Sequence, residues 1–129
     1  MRIAFDVMGT IDGPAKKEVL KLFFALQALG HEMVVWSSEY GLAVRANESN
    51  RLNAKVMSKR EKYSTSDTDD YMDLAIDDDT RQTYLATHKF LYVHELPRAE
   101  GIDALAQAIT EGKEPKDREP RKDDDYFLP

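Results

Sequence analysis

The feature that most constrains this chain is a repeated pairing of a short, uninterrupted apolar run with a polar or charged residue at its end. "IAF" runs into Asp6, "MVVW" into Ser37 and "LAI" into Asp77, Asp78 and Asp79, and a further run covers Phe90 to Val93. Continuous rather than alternating apolar character marks strands buried on both faces, as in parallel sheets covered by helices. Between the first two runs, Val19, Leu22, Phe23, Leu26 and Leu29 recur at spacings of three and four. Pro14 suits the first helical turn of this segment and Gly30 supplies its stop. A second helix is expected over Tyr40 to Leu52, with Leu42, Val44 and Ala46, followed by a strand over Ala54 to Ser58. A short helix is expected over Thr80 to Thr87. A last helix carries Ile102, Leu105, Ala106 and Ile109 and ends at Gly112.

Alternating strands and helices predict an α/β sandwich with a mainly parallel sheet over residues 1–112. Lys59 to Tyr71 is polar and lacks an apolar period, so it reads as loop. Residues 113–129, mostly charged and with Pro115, Pro120 and Pro129, read as a flexible tail. At 129 residues the chain is long enough for one domain with a real core, and the absence of cysteine removes thiol chemistry, cysteine-ligated zinc and disulfides. Lys21 and Gln27 interrupt the longest apolar stretch, so no membrane span is expected. "IAF" meets Asp6 too early for a leader, which makes a cytoplasmic protein the default expectation. The formal net charge of -6 argues against bulk binding to a phosphate backbone. That charge is local: residues 67 to 79 hold seven aspartates and neither Lys nor Arg, and without them the chain stands near +1.

In parallel α/β sheets, ligands bind outside the carboxyl ends of the strands. Asp6, Ser37, Lys59, Asp77 and Asp78 each follow a predicted strand, so they are expected to converge on one edge. A carboxylate beside a glycine-rich turn, a hydroxyl, a lysine and a carboxylate pair are the parts needed to hold a phosphoryl group and a divalent cation. Carboxylates suit Mg²⁺, and lysine and hydroxyl neutralise and orient phosphoryl oxygens.

In these segments the chain resembles the haloacid dehalogenase-like (HAD) phosphohydrolases. Their first motif, a strand followed by Asp-x-Asp-Gly-Thr, is matched by "IAFDVMGTID", with Asp6 at the nucleophile and Gly9 and Thr10 at the Gly-Thr pair. "MVVWSS" puts Ser37 at the phosphate-binding hydroxyl. "KVMSKR" puts Lys59 at the motif lysine, with Lys55 and Lys62 as alternates, and "LAIDDD" supplies Asp77 and Asp78 as the acidic pair. The resemblance spans residues 2 to about 94, with the motifs in order. It implies a Rossmann-like three-layer sandwich with a five-stranded sheet, attack on phosphorus by Asp6, and Mg²⁺ held by Asp6, the Met8 carbonyl and Asp77 or Asp78. Only about twenty residues separate Asp12 from the second strand, which implies a member without a cap domain. An open site of that kind admits small or macromolecular phosphates, or a partner chain acting as the lid.

The departure is Met8, which stands where the family carries its general acid–base aspartate. A thioether transfers no proton, and loss of such a group costs about a hundred- to ten-thousand-fold in rate. Relatives lacking that aspartate exist among phosphonate-cleaving enzymes and ion-pumping ATPases, so formation of the phosphoaspartate is expected to survive and its hydrolysis to be slow. Asp12 is a candidate substitute, though an aspartate is ordinary in such a turn. A catalytically silent relative that binds a protein partner therefore stays open as the alternative. A phosphorylated receiver domain shares these residue types but would place the acidic pair after the first strand. Of the other features, Asp67, Asp69, Asp70 and Asp73 read as solvated surface, and Trp36 reads as core. His31, His88 and His94 share no ligand spacing, "KEPKDREPRK" is offset by Asp123 to Asp125, and the terminal "YFLP" reads as a disordered end rather than a docking peptide.

Overall fold

A computed structural model describes residues 1–59, 72–79 and 89–115. Five strands, β1 (Arg2–Asp6), β2 (Glu32–Ser37), β3 (Lys55–Ser58), β4 (Leu74–Asp77) and β5 (Phe90–Tyr92), form one sheet in the order β3-β2-β1-β4-β5. Every pairing is parallel. The described helices are α1 (Lys16–Ala28), α2 (Tyr40–Ser49) and α3 (Ile102–Thr110). The chain steps outward from β1 through β2 to β3, then resumes on the other side of β1 with β4 and β5. This is the Rossmann-like order, and its reversal point lies between β1 and β4.

The continuous apolar runs become strands because both sheet faces are buried. On one face Ile3, Phe5, Val35 and Ile76 pack with Val19, Leu22, Phe23 and Leu26 of α1, Ala43 and Ala46 of α2, and Ile102, Ala106 and Ile109 of α3. Phe5 and Phe23 meet edge to face at 5.1 Å, a geometry that adds to their area burial. On the other face Ala4, Val34, Trp36, Ala75, Phe90 and Tyr92 form a second buried cluster with Met72. Two buried faces are what a three-layer sandwich requires. The described sheet and helices leave no room in 129 residues for a separate cap domain. Among the described residues, no helix is long and apolar enough to cross a membrane.

Several boundaries differ from the sequence reading for local reasons. Pro14 precedes the first helical turn, because α1 starts at Lys16 behind Ala15. Leu29 is the C-terminal cap and 42% exposed, so it leaves the apolar stripe. In α2 the fully packed positions are Ala43 and Ala46, while Leu42 is only partly buried. Val93 leaves the last strand for a 3₁₀ turn, Val93–Glu95. Asp73 is not a free surface charge: its carboxylate accepts the Arg2 N–H at 2.7 Å and fixes the start of β1 against β4. Pro115, at the start of the expected tail, is buried. The remainder of the 59–71 loop, the helix over Thr80 to Thr87, the tail beyond residue 115, Lys62, Asp67, Asp69, Asp70 and His88 lie outside the described residues.

The three described helices end the same way. After α1, Gly30 N–H donates to the Gln27 carbonyl and His31 N–H to the Leu26 carbonyl. After α2, Arg51 and Leu52 donate to Glu48 and Asn47, and after α3, Gly112 and Lys113 donate to Ile109 and Ala108. This paired closure requires a left-handed residue just past the cap. Gly30 and Gly112 supply it at φ +92° and +76°, but after α2 the residue is Arg51, at φ 54°. A side chain there costs about 1 kcal/mol. Arg51→Gly is therefore expected to raise stability by about 0.5–1 kcal/mol, seen as a higher urea midpoint with unchanged slope. A lower midpoint would show that the arginine side chain outweighs the backbone cost.

Candidate functional site

Parallel pairing sends all five strands to the same carboxyl edge, and the strand order decides what meets there. Asp6 ends β1 and Asp77 ends β4, one position beyond the paired residues Phe5 and Ile76. The two carboxylates therefore stand side by side at the reversal point, the place where parallel α/β sheets bind ligands. Asp78 follows directly. One oxygen from each of Asp6, Asp77 and Asp78 lies within 4.8 Å of the others. Hard oxygen donors in that arrangement can hold a divalent cation such as Mg²⁺.

Lys59 comes from two strands away. Its N–H donates to the Ser37 carbonyl at 2.7 Å, extending the β2–β3 ladder by one residue and fixing where the side chain starts. The side chain then passes over Trp36, with Nζ 5.6 Å from the indole centroid. It ends 3.0 Å from Asp6 Oδ1 and 2.6 Å from Asp77 Oδ2. This assigns Lys59 the position between the carboxylates. Lys55 opens β3 at the opposite, amino end of the strand. Ser37 is buried on the same edge and its hydroxyl accepts the Glu39 N–H at 3.1 Å. Accepting that bond leaves its O–H able to donate.

The loop after β1 is closed on itself. Thr10 and Asp12 N–H donate to the Val7 carbonyl, Ile11 N–H to that of Asp6, and Gly9 N–H to that of Asp12. Gly9 sits at φ +77°, and any Cβ there would collide with the Asp78 carboxylate. The glycine thus lets the Asp78 side chain lie against the loop backbone. Thr10 Oγ1 is buried with no hydrogen-bond partner among the described residues. Asp77 Oδ1 accepts the Asp79 N–H at 2.9 Å, which holds the β4 carboxylate in place.

The electrostatics follow from one ammonium set against three carboxylates. Burial pushes the Asp6 carboxyl above its usual range, Lys59 opposes the rise, and the adjacent Asp78 carboxylate adds to it. Burial also raises Asp77, against Lys59 and with help from Asp6, to about 7. For Lys59, burial favours the neutral amine, but Asp77 and Asp6 outweigh it and hold the ammonium above the ordinary lysine value. The surplus negative charge is the electrostatic condition for taking up a cation.

No family model matches the sequence, and neither a curated protein nor a solved structure matches the chain. The structure brings Asp6, Lys59, Asp77 and Asp78 into one cluster and puts Ser37 on the same edge. Three participants escaped the sequence reading. Trp36 is core, but it also underlies the lysine. Glu18 and His94 line a cleft with Gly9 and Asp78. Glu18 hides within a helical apolar period, and His94 shares no spacing with any other candidate.

In the metal-free chain, Asp77 binds a proton when folded that it has lost when unfolded, between pH 3.8 and about 7. Its contribution to stability is complete below pH 3.8 and falls away as pH rises through about 7. Lys59→Met strands two buried carboxylates and is expected to cost about 3–5 kcal/mol at pH 8. The cost should be smaller at pH 5, where Asp77 is protonated. Urea melts in EDTA at both pH values check this, and an equal loss at both would contradict it.

Proposed function

We propose that the chain is a Mg²⁺-dependent phosphohydrolase of the HAD type, working through an aspartyl phosphate on Asp6. What carries the reading is the convergence of Asp6, Asp77 and Asp78 at the sheet's reversal point, with buried Lys59 between Asp6 and Asp77. The order of the motif residues along the sequence supports it. Three hard oxygen donors with a net negative charge fit Mg²⁺, with Asp6, Asp77 and Asp78 as the residues that hold it. When bound, the ion screens the charge between Asp6 and an incoming phosphate and polarises the phosphoryl group. Cytoplasmic location belongs to the same reading.

Asp6 attacks phosphorus, the bond to the leaving oxygen breaks, and that oxygen departs with the electron pair. Lys59 orients Asp6 by donating to its Oδ1 and opposes the rise that burial gives its carboxyl, and Ser37 offers a hydroxyl to the phosphoryl oxygens. Water then cleaves the acyl phosphate and regenerates Asp6. Both steps move a proton, and the position that would transfer it is Met8, which is 63% exposed. Asp12 lines a cleft with Lys16, Leu42 and Arg45, and on this reading it is assigned no proton transfer. Capture of the phosphoryl group is thus expected to be intact and turnover slow.

Asp6→Asn is expected to abolish both hydrolysis of an aryl phosphate with Mg²⁺ and Mg²⁺-dependent binding of beryllium fluoride. Met8→Asp should raise turnover by about a hundredfold or more. Beryllium fluoride binding that ignores Asp6 would sink the reading. The second reading is a silent relative that engages a protein partner. It draws on the exposure of Met8 and Tyr40, 63% and 54%, each following a strand on this edge. It predicts no Mg²⁺-dependent binding of the fluoride at all.

A further inference from the structure

A cleft of about 490 Å³ opens beside the carboxylate cluster, a size typical of small-molecule sites. Gly9 and Asp78 join it to the cluster, and Pro14, Ala15 and Val93 give it apolar lining. Its remaining polar groups are Glu18, in the first turn of α1, and His94, in the turn after β5. The His94 ring is held parallel to Tyr92, 6° between planes and 5.7 Å between centroids. The Tyr92 ring stacks in turn on Phe90 at 6.3 Å. His94 thus continues the Phe90–Tyr92 stack to the lining of the cleft.

Among the described lining residues, the acidic side chains Glu18 and Asp78 are not matched by a lysine or arginine. Lys16 and Arg45 line a different cleft, with Asp12. With Asp78 committed to the cation, Glu18 is the carboxylate left to face the organic part of a bound ester. A second phosphate or a carboxylate there meets repulsion in a partly desolvated space, where Coulomb terms exceed their value in water. An apolar body bearing an ammonium group meets apolar walls and a counter-charge.

We propose that this cleft receives the alcohol part of the phosphomonoester and selects an apolar alcohol with a cationic end over an anionic one, with Glu18 as the residue that discriminates. This rests on the phosphohydrolase reading, which supplies the phosphoryl site next door.

The test uses the full chain with Mg²⁺ and two probes of matched size, 4-(2-aminoethyl)phenyl phosphate and 4-(carboxymethyl)phenyl phosphate. The ammonium probe is expected to have a KM about tenfold below that of the carboxylate probe, with similar kcat. Isosteric Glu18→Gln should bring the two KM values to within about twofold, and Glu18→Lys should invert them. Equal KM values in the unaltered chain, or a preference that survives Glu18→Gln, would overturn the proposal. Should neither probe turn over, the phosphohydrolase reading is judged by its beryllium fluoride test and the free phenols test the cleft separately. Amide shifts at Ala15, Glu18 and His94 that saturate about tenfold more tightly with the ammonium phenol support it. Shifts without that preference, or no saturable shifts, refute it.

Discussion

The rest of this edge depends on one buried cation. Lys59 is held between Asp6 and Asp77 at 3.0 and 2.6 Å with its side chain almost entirely out of water. Burying ionised groups is expensive, and the Coulomb attraction repays it only when every charge has a partner. Here the three groups come from the ends of β1, β3 and β4, so the contact ties an outer strand to the two central ones across β2. Trp36 supports the crossing by lying under the ammonium, where the indole face attracts a cation. The same contact opposes, without cancelling, the rise that burial gives the Asp6 carboxyl.

That contact exists because of strand order. Had the chain continued outward past β3, the Asp77 carboxylate would lie beyond the lysine and far from Asp6. Reversal puts β4 against β1, in the register Ile3–Leu74, Ala4–Ala75 and Phe5–Ile76, and so sets Asp77 beside Asp6. Asp73 fixes this register at the opposite end of the pair, accepting the Arg2 N–H while its own N–H donates to the Arg2 carbonyl. Slippage by one residue would turn Asp77 to the other face of the sheet. A carboxylate that reads as surface charge is therefore part of what positions the site.

What was legible in the sequence was whatever depends on burial and local period. The strand runs, the α1 stripe at Val19, Leu22, Phe23 and Leu26, and the glycine stops after α1 and α3 all leave local signatures, and with them the five-stranded parallel sheet was readable. So were the residues at strand ends. What depends on long-range register was not. The expected strand over Ala54 to Ser58 sets Lys59 just past its end, with Lys55 and Lys62 as alternates; what seats Lys59 is the hydrogen bond from its N–H to the Ser37 carbonyl, which forms only once β2 and β3 are paired. The end of α2 was hidden because the left-handed position holds Arg51 rather than glycine. His94 and Glu18 lie far apart in the chain and share only the lining of one cleft in the folded protein.

The division between what folding dictates and what it leaves open bears on Met8. Asp6, Lys59 and Asp77 are buried and mutually paired, so a change at any one is felt by the whole sheet edge. Met8 is 63% exposed in the neighbouring loop, and that loop is closed by backbone hydrogen bonds that do not involve its side chain. Core packing thus places little demand on the residue there, and an aspartate would fit the same backbone. On the phosphohydrolase reading, phosphoryl capture is built from strand ends that the fold must hold together, and proton transfer from a loop position that it need not. A chain of this kind can lose rapid turnover while keeping its phosphoryl site, because the two are supported by different parts of the structure.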